Sequence, residues 1–517
     1  MDERTSRAAN RIDFDAFRLV NVVDMLHRHG ELIHHDEPID LIDIAKPIES
    51  SAPAICFRNI RGCTMPLVGN ILGTRKRLAL ALGIQERELI TQLRKRLATR
   101  YPPTEVTSAE APVHEVVLTG KQADLSRLPI HLQHTMDGAP YISASLDFTT
   151  EPDTGRINVG CRRMMPMSRT CCAVDMNSPS DFRAAYIKHV EQRKPFPVAF
   201  VIGSHPADHL GSQVLVPKCN ELALIGSLRE ASVPVVRCKA IDQLVPADAE
   251  IVLEGHLDPA GYDQIEGPYG EYLGYYGKVK KNPLFRLSAI TMRQDAMFET
   301  MTIGGYNIAA TDTAQLTALR TELAVMTALE SVVRETVAVY CPPGNGGMFN
   351  VRFSIRPRYA GEARNALAAV LSSPADVKHA FVVDDDIDVF SDAQIDWALA
   401  TRFQVERDLM VLTGMRAYPL DPSLIGAARG SKAGFDLTIP FEHRGTPEYS
   451  VPTPPVFVEG PAQSSVEAIL AQGPKSYYEI MMALQTRDGR EILASFDELL
   501  HRKRLQRLAD GRYQLTN

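Results

Sequence analysis

The stretch Ile142-Ser143-Ala144-Ser145-Leu146-Asp147-Phe148-Thr149 sets the fold class. It is one of a series of short β-branched-rich runs, at 113–118, 142–149, 197–202, 233–239, 250–255 and 284–293, each bounded by Gly, Pro, Asn or Asp. Runs of that length and composition read as strands. Helical segments at 182–192 and 220–228 interrupt them. Regular strand–helix alternation would point to a doubly wound sheet. Recurrence with irregular crossovers predicts instead a barrel-like α+β domain over 111–322.

Outward from that domain the pattern changes. Residues 1–110 are mixed, with an amphipathic helix near 17–29 and a basic one near 86–97, whose Arg94, Lys95 and Arg96 read as a solvated face. Tyr101-Pro102-Pro103-Thr104 breaks that helix and reads as a linker, since proline removes a donor and restrains the residue before it. Downstream, strand 350–356, helix 360–372, strand 379–383 and helix 392–401 form a βαβ-like unit, which places an α/β domain over 323–460. The Gly-rich segment 342–347 lacks both the P-loop lysine and the GxGxxG fingerprint, and reads as a turn. After the Pro-rich stretch 450–455, residues 461–517 read as three short helices and a hairpin with Asp510-Gly511 at its turn, a winged-helix-like tail. That tail carries eight Lys/Arg against seven Asp/Glu, so its His501-Arg502-Lys503-Arg504 cluster favours protein contact over DNA.

The 517 residues are 45% apolar and 23% charged, which excludes chain-wide disorder and a fibrous repeat. No run reaches the ~18 apolar residues of a membrane span, and the charged start MDERTSRAANRIDFD shows no secretory signal. A net charge of −7, from 56 basic and 63 acidic residues, argues against bulk nucleic-acid or anionic-membrane binding. The expectation is a soluble, cytoplasmic protein. Eight cysteines without a CxxC pair give neither a zinc site nor a disulfide scaffold and read as reduced core residues.

Three clusters carry chemistry. Glu266-Gly267-Pro268-Tyr269-Gly270-Glu271 sets two carboxylates five residues apart across a Gly-Pro-x-Gly turn, which can point both into one pocket. Crowded carboxylates in a water-poor pocket have separated pKa values, and one becomes a proton donor near neutrality; an exposed acidic turn is the plainer alternative. The segment 155–163, with Arg162 and Arg163, suits an anion held bidentately, or a structural salt bridge. Pro217-Lys218-Cys219-Asn220-Glu221 opens an apolar helix with an acid, which is also what dipole compensation alone would place there. Tyr269, Tyr272, Tyr275, Met164, Met165 and Met167 would suit a flat aromatic ligand, or simply core packing.

In this order the clusters resemble the UbiD family of prenylated-FMN-dependent (de)carboxylases over about residues 15–445. The resemblance includes Asn158-x4-Arg163, Glu221 within NELALIGSLRE, EGPYGEYLGYY, the 384–389 and 397–402 segments, and Gly430-Ser431-Lys432-Ala433-Gly434-Phe435-Asp436. It implies a split-barrel-like flavin domain, an α/β oligomerisation domain, and non-oxidative, reversible decarboxylation of an aromatic, heteroaromatic or α,β-unsaturated acid. It places an Arg–Glu–Glu proton-transfer trio on Arg163, Glu266 and Glu271, with Glu271 the acid. It also implies prenylated FMN held along Asn158, Val159, Gly160, Cys161, Arg162, Arg163, Val174, Asp175 and Glu221, through a Mn2+-type (or Mg2+) ion with K+ nearby. Of the family's metal ligands, Asn158 and Glu221 match, and Asp175 stands where a histidine is usual. A flavin prenyltransferase as cofactor supplier and a homodimer or homohexamer follow from the same resemblance. Two further readings stay open: a ligand-sensing, DNA-binding regulator with a UbiD-like core, and a flavin-free metal-dependent hydrolase.

Overall fold

The computed structural model describes residues 12–214, 216 and 219–516. Pro217 and Lys218, singled out above, lie outside the described residues. The chain forms two compact units, one ending at Thr438 and the other beginning at Ile439.

The centre of the first unit is an antiparallel barrel. Its strands are β1 (Ile142–Thr150), β2 (Ile157–Ser168), β3 (Cys171–Val174), β4 (Phe196–Ile202), β5 (Ile251–Leu257) and β6 (Leu284–Met292). Hydrogen bonding runs β5-β4-β1-β2-β3-β6, and β5 also pairs with β6, which closes the sheet on itself. Closure removes exposed edges. The fold-deciding run is β1, whose first eight residues are all buried. That follows from cover on both faces: Ile142 joins a core with Met164, Val198, Phe200 and Phe285, while Leu146 and Phe148 pack in another with Leu222 and Ile225. The expected 113–118 strand is a short 3-10 turn, Pro112–His114, followed by Val116–Thr119, which adds to β6.

The sequence-expected helices flank the barrel as α1 (Asp181–Glu191) and α3 (Glu221–Arg229), with the short α2 (Pro206–Gly211) between them. Ser180 caps α1 by accepting from Arg183 N, and Asn220 caps α3 by accepting from Leu222 N. Residues 101–105 are more than a linker: Thr104–Glu105 pairs in parallel with Pro234–Arg237. Upstream, Leu32–His35, Ala54–Phe57 and Leu67–Gly69 form a sheet completed by Phe298–Thr300.

Helix α4 (Asp312–Glu330) leads into a five-stranded sheet of β7 (Thr336–Tyr340), β8 (Asn350–Ile355), β9 (His379–Asp384), β10 (Leu409–Arg416) and β11 (Arg429–Asp436), ordered β7-β8-β9-β11-β10. Strands β8 and β9 are parallel, joined by α5 (Glu362–Ser372), which is the βαβ unit read from sequence.

In the second unit, helices Val466–Leu470, Tyr477–Leu484 and Arg490–His501 and the hairpin Leu505–Arg507/Tyr513–Leu515 share a core of Val466, Ile469, Ile480, Ile492 and Phe496. The units part at Thr438, ahead of the boundary expected at 460. The reason is that the Pro-rich stretch packs on the tail: Gly460 N donates to Gln485 Oε1 at 2.8 Å and Tyr478 Oη donates to Val456 O. Among the described residues no helix is long and apolar enough to cross a membrane.

Candidate active site

Arg163, on β2, gathers three carboxylates. Its Nε donates to Glu266 Oε1 at 3.0 Å and its Nη2 to Glu266 Oε2 at 3.3 Å, a bidentate pair. Its Nη1 donates to Glu271 Oε1 at 2.6 Å, and Nη2 lies 3.2 Å from Asp175 Oδ2. The Tyr269 ring sits under the guanidinium, 4.6 Å from centroid to Cζ. The turn at 266–271, with its cis Gly267–Pro268 bond, therefore delivers both carboxylates to one cation.

Each acid is held differently. Glu266 is fully buried and accepts from Tyr141 Oη at 2.9 Å and Asn282 Nδ2 at 3.1 Å as well as from Arg163. Burial and the Glu266 charge raise the Tyr141 phenol, which keeps it a donor. Burial pushes Glu271 above the usual carboxylate range, with the Asp175 charge acting in the same direction and Arg163 and Lys280 opposing. Two cations, Arg163 and Lys280, face three carboxylates, Glu266, Glu271 and Asp175, so full ionisation leaves one negative charge in excess. A proton on Glu271 removes that excess. Gly277 leaves room for the carboxylate as it is placed, since a Cβ there would lie 2.7 Å from Glu271 Oε1.

Asp175 belongs to this group. Burial acts to raise it, but Arg163 and Lys280 (Nζ at 3.8 Å) hold it below the usual range. Its position follows from register: Met164 pairs with Val174, so the next residue falls opposite Arg163, whose carbonyl accepts from Asp175 N at 3.4 Å.

The other expected ligands meet elsewhere. Asn158 Nδ2 donates to both Glu221 oxygens, at 3.2 and 3.1 Å, and Val159 N donates to Glu221 Oε2 at 2.9 Å. Burial pushes the Glu221 carboxyl up to about 7, against those two donors and reinforced by the Asp147 and Asp181 charges. Asp147 is fully buried, accepts from Arg162 Nε at 3.1 Å, and its Oδ2 makes no hydrogen bond. No hydrogen bond joins Asp175 to Asn158 or Glu221 among the described residues. The carboxylate that approaches Glu221 from the 175–181 segment is Asp181, in the first turn of α1. Sequence reading missed it, along with Tyr141, Asn282 and Lys280.

Along the remaining cofactor segment, Gly160 leaves room for Asp147, whose Oδ1 would lie 2.8 Å from a Cβ there. Val159 and Val174 are core residues and Cys161 is half-buried. The Tyr and Met side chains do not line one pocket. Met164 packs in the barrel interior, Tyr269 and Met165 pack with Tyr141, and Tyr275 and Met167 are exposed. Tyr272 is hydrogen-bonded to the Tyr418 hydroxyl.

Three family domains cover most of the chain. The N-terminal, Rift-related and C-terminal domains of 3-octaprenyl-4-hydroxybenzoate carboxy-lyase, the UbiD domains, match residues 23–97, 104–306 and 314–437. The chain belongs to the UbiD family. It is thereby a carboxy-lyase of the UbiD type. It is 28% identical over 422 residues to an anhydromevalonate phosphate decarboxylase of Methanothermobacter thermautotrophicus, covering 81% of this chain and 96% of that one. The UbiD-class enzyme HmfF from Pelotomaculum thermopropionicum, solved in complex with FMN, superposes with a TM-score of 0.79 at 29% identity, over 84% of this chain and 97% of its own. An evolved dimeric form of HmfF, solved with prFMN, gives 0.75 at 28%, over 82% and 95%. Vanillic acid decarboxylase of Sedimentibacter hydroxybenzoicus gives 0.76 at 27%, over 94% and 99%.

Proposed function

We propose that this UbiD-family chain catalyses the non-oxidative, reversible decarboxylation of an aromatic, heteroaromatic or α,β-unsaturated carboxylic acid, with prenylated FMN as cofactor. The observation that carries the reading is Arg163 bound at once to Glu266 and Glu271 inside a closed barrel. Bound prenylated FMN supplies the electrophile and electron sink for CO2 loss. The protein supplies orientation and a proton. Arg163 takes the substrate carboxylate by exchanging it for Glu271, whose buried carboxyl favours the neutral form and so gives up the least ion pairing on leaving. Glu266, anchored by Tyr141 and Asn282, keeps the guanidinium in place. Glu271 then delivers its proton to the carbon that has lost CO2, and takes it back in the carboxylation direction.

The donor chemistry near β2 suits a divalent cation serving the flavin phosphate. Asn158 and Glu221 offer oxygens, and a bound cation would reverse the burial and like-charge pressure on Glu221. No cluster of three or more His, Cys, Asp or Glu side chains is arranged for a metal among the described residues, so the Asn158 amide is essential to the set. Asp181 completes it in our reading, in place of Asp175, which Arg163 and Lys280 engage. Manganese or magnesium fits these oxygens, with potassium alongside.

The matches lend no support to the regulator or the flavin-free hydrolase. The tail is assigned a protein-contact role: Arg504 pairs with Glu467 and Arg502 lies 3.9 Å from Glu498, which offsets its basic cluster. The test of the function is co-expression with a flavin prenyltransferase. Bound chromophore together with CO2 release from a panel of aromatic and unsaturated acids supports it. Protein that carries prenylated flavin yet releases CO2 from none of the panel overturns it.

A further inference from the structure

The proposed mechanism asks Glu271 to let go of Arg163. Among the described residues, the one hydrogen bond its carboxylate accepts comes from that arginine. While the acid is detached, its backbone must therefore hold it in place. The loop 133–138, which leads into β1, makes the contacts that do so. Asp137, whose side chain is fully buried, accepts from Gly270 N through Oδ1 at 2.9 Å. Its Oδ2 accepts from His134 N at 2.9 Å, with His134 Nδ1 3.2 Å away. Gly138 N donates to Pro268 O at 2.8 Å, and Tyr269 Oη donates to Gln133 Oε1 at 2.8 Å. Pro268, Tyr269 and Gly270, the residues leading into Glu271, thus each reach the same loop. Loop and turn lie backbone to backbone, since a Cβ at Gly138 would fall 2.4 Å from Gly267 O. The far strand of the small pair Tyr269–Gly270/Tyr276–Gly277 is tied as well, because Met136 N donates to Tyr276 Oη at 3.1 Å.

We infer that Asp137 is a positioning residue for proton delivery: it pins the 266–271 turn so that Glu271 keeps its place when it leaves Arg163. The inference rests on the decarboxylase reading and adds a residue to it. A buried carboxylate that accepts N–H groups from two separate segments joins them, and removing it leaves those donors buried and unsatisfied. The effect is confined to one side of the site. Arg163, which would take the substrate carboxylate, is anchored through Glu266, and Glu266 is held by Tyr141 and Asn282 without Asp137. Substrate binding and proton delivery thus have separate supports. Loss of Asp137 would misplace the acid while leaving the arginine where it is, so it acts on kcat more than on KM. Downstream of the acid the chain holds itself, with Glu271 N donating to Tyr275 O at 3.0 Å and Gly274 N to Glu271 O at 2.9 Å. The upstream support is the one that a single side chain supplies.

The test compares wild type with Asp137→Ala in the full-length chain by two measurements. Without flavin or substrate, amide hydrogen exchange of the peptide covering 266–275 should be at least about tenfold faster in the variant, with the β1 and β4 peptides unchanged. In protein co-expressed with a flavin prenyltransferase, kcat should fall by about 10²-fold with KM and bound flavin near wild type. Asp137→Asn keeps an oxygen for Gly270 N and should show smaller changes in the same direction; it carries both measurements if the alanine variant does not fold. Unchanged exchange in the 266–275 peptide overturns the inference. So does a kcat near wild type, or a kcat loss that only tracks a loss of bound flavin. The exchange measurement needs no turnover, so its failure strikes this inference alone. A flavin-loaded wild type that releases no CO2 strikes the decarboxylase reading instead.

Discussion

Arg163 Nη1 lies 2.6 Å from Glu271 Oε1, while the same guanidinium is locked to Glu266 through Nε and Nη2. In the proposed mechanism one glutamate anchors the arginine and the other is exchangeable. That division gives the two acids different expected behaviour, although they sit five residues apart in one turn.

The exchangeable acid should set the alkaline limb of activity. As the proposed acid, Glu271 must carry a proton, and burial with the Asp175 charge raises its pKa above the ordinary carboxylate range. Turnover is therefore expected to fall as pH rises through that raised value. Asp175→Asn removes a like charge and should move the limb to lower pH. A kcat–pH profile of the two proteins checks this; an unmoved limb would show that Asp175 does not tune Glu271.

Glu266 should matter to folding as well as to turnover. It is fully buried and satisfied by Arg163, Tyr141 and Asn282. Glu266→Ala leaves a buried cation short of a partner, which costs about 3–5 kcal/mol. Denaturant unfolding should show that loss, with a much smaller one for Glu271→Gln, which keeps a polar side chain in place.

The two aspartates near β2 should separate by metal content. Asp181→Ala is expected to lower bound Mn2+ and flavin together, whereas Asp175→Ala should leave metal content near wild type. Elemental analysis of the purified proteins distinguishes them, and the opposite pattern would return Asp175 to the ligand set.

His209 and Glu299, both fully buried with Nε2 3.0 Å from Oε2, should leave a mark on stability. An imidazole raised from 6.5 to about 10 binds its proton more tightly in the folded than in the unfolded chain. Its contribution is thus complete at pH below 6.5 and is lost as pH rises toward 10. The size is on the order of a few kcal/mol. The difference in unfolding free energy between wild type and His209→Leu should shrink across that window; a constant difference would contradict the assignment.

Much of this was legible in the chain because it is local. β1 is a single buried run, and the 266–271 turn carries its two carboxylates on its own. The partners of those carboxylates were not legible. Tyr141, Asn282 and Lys280 come from distant segments brought together by barrel closure, and no spacing announces them. That Asp175 lies against Arg163 was not legible for a similar reason. Whether it or Asp181 meets Glu221 depends on the β2–β3 register, which puts Val174 opposite Met164 and commits the next residue to Arg163. The segment between the two aspartates has no periodicity to reveal that. His209 and Glu299 were invisible as a pair, since 90 residues separate them along the chain.

The most direct test of the central claim is Glu271→Gln in protein co-expressed with a flavin prenyltransferase. The variant should fold, show the flavin absorption of wild type, and lose CO2 release and solvent-proton exchange at the reacting carbon by about 10²–10⁴-fold. Turnover and exchange near wild type in that flavin-loaded variant would contradict the assignment of Glu271 as the acid.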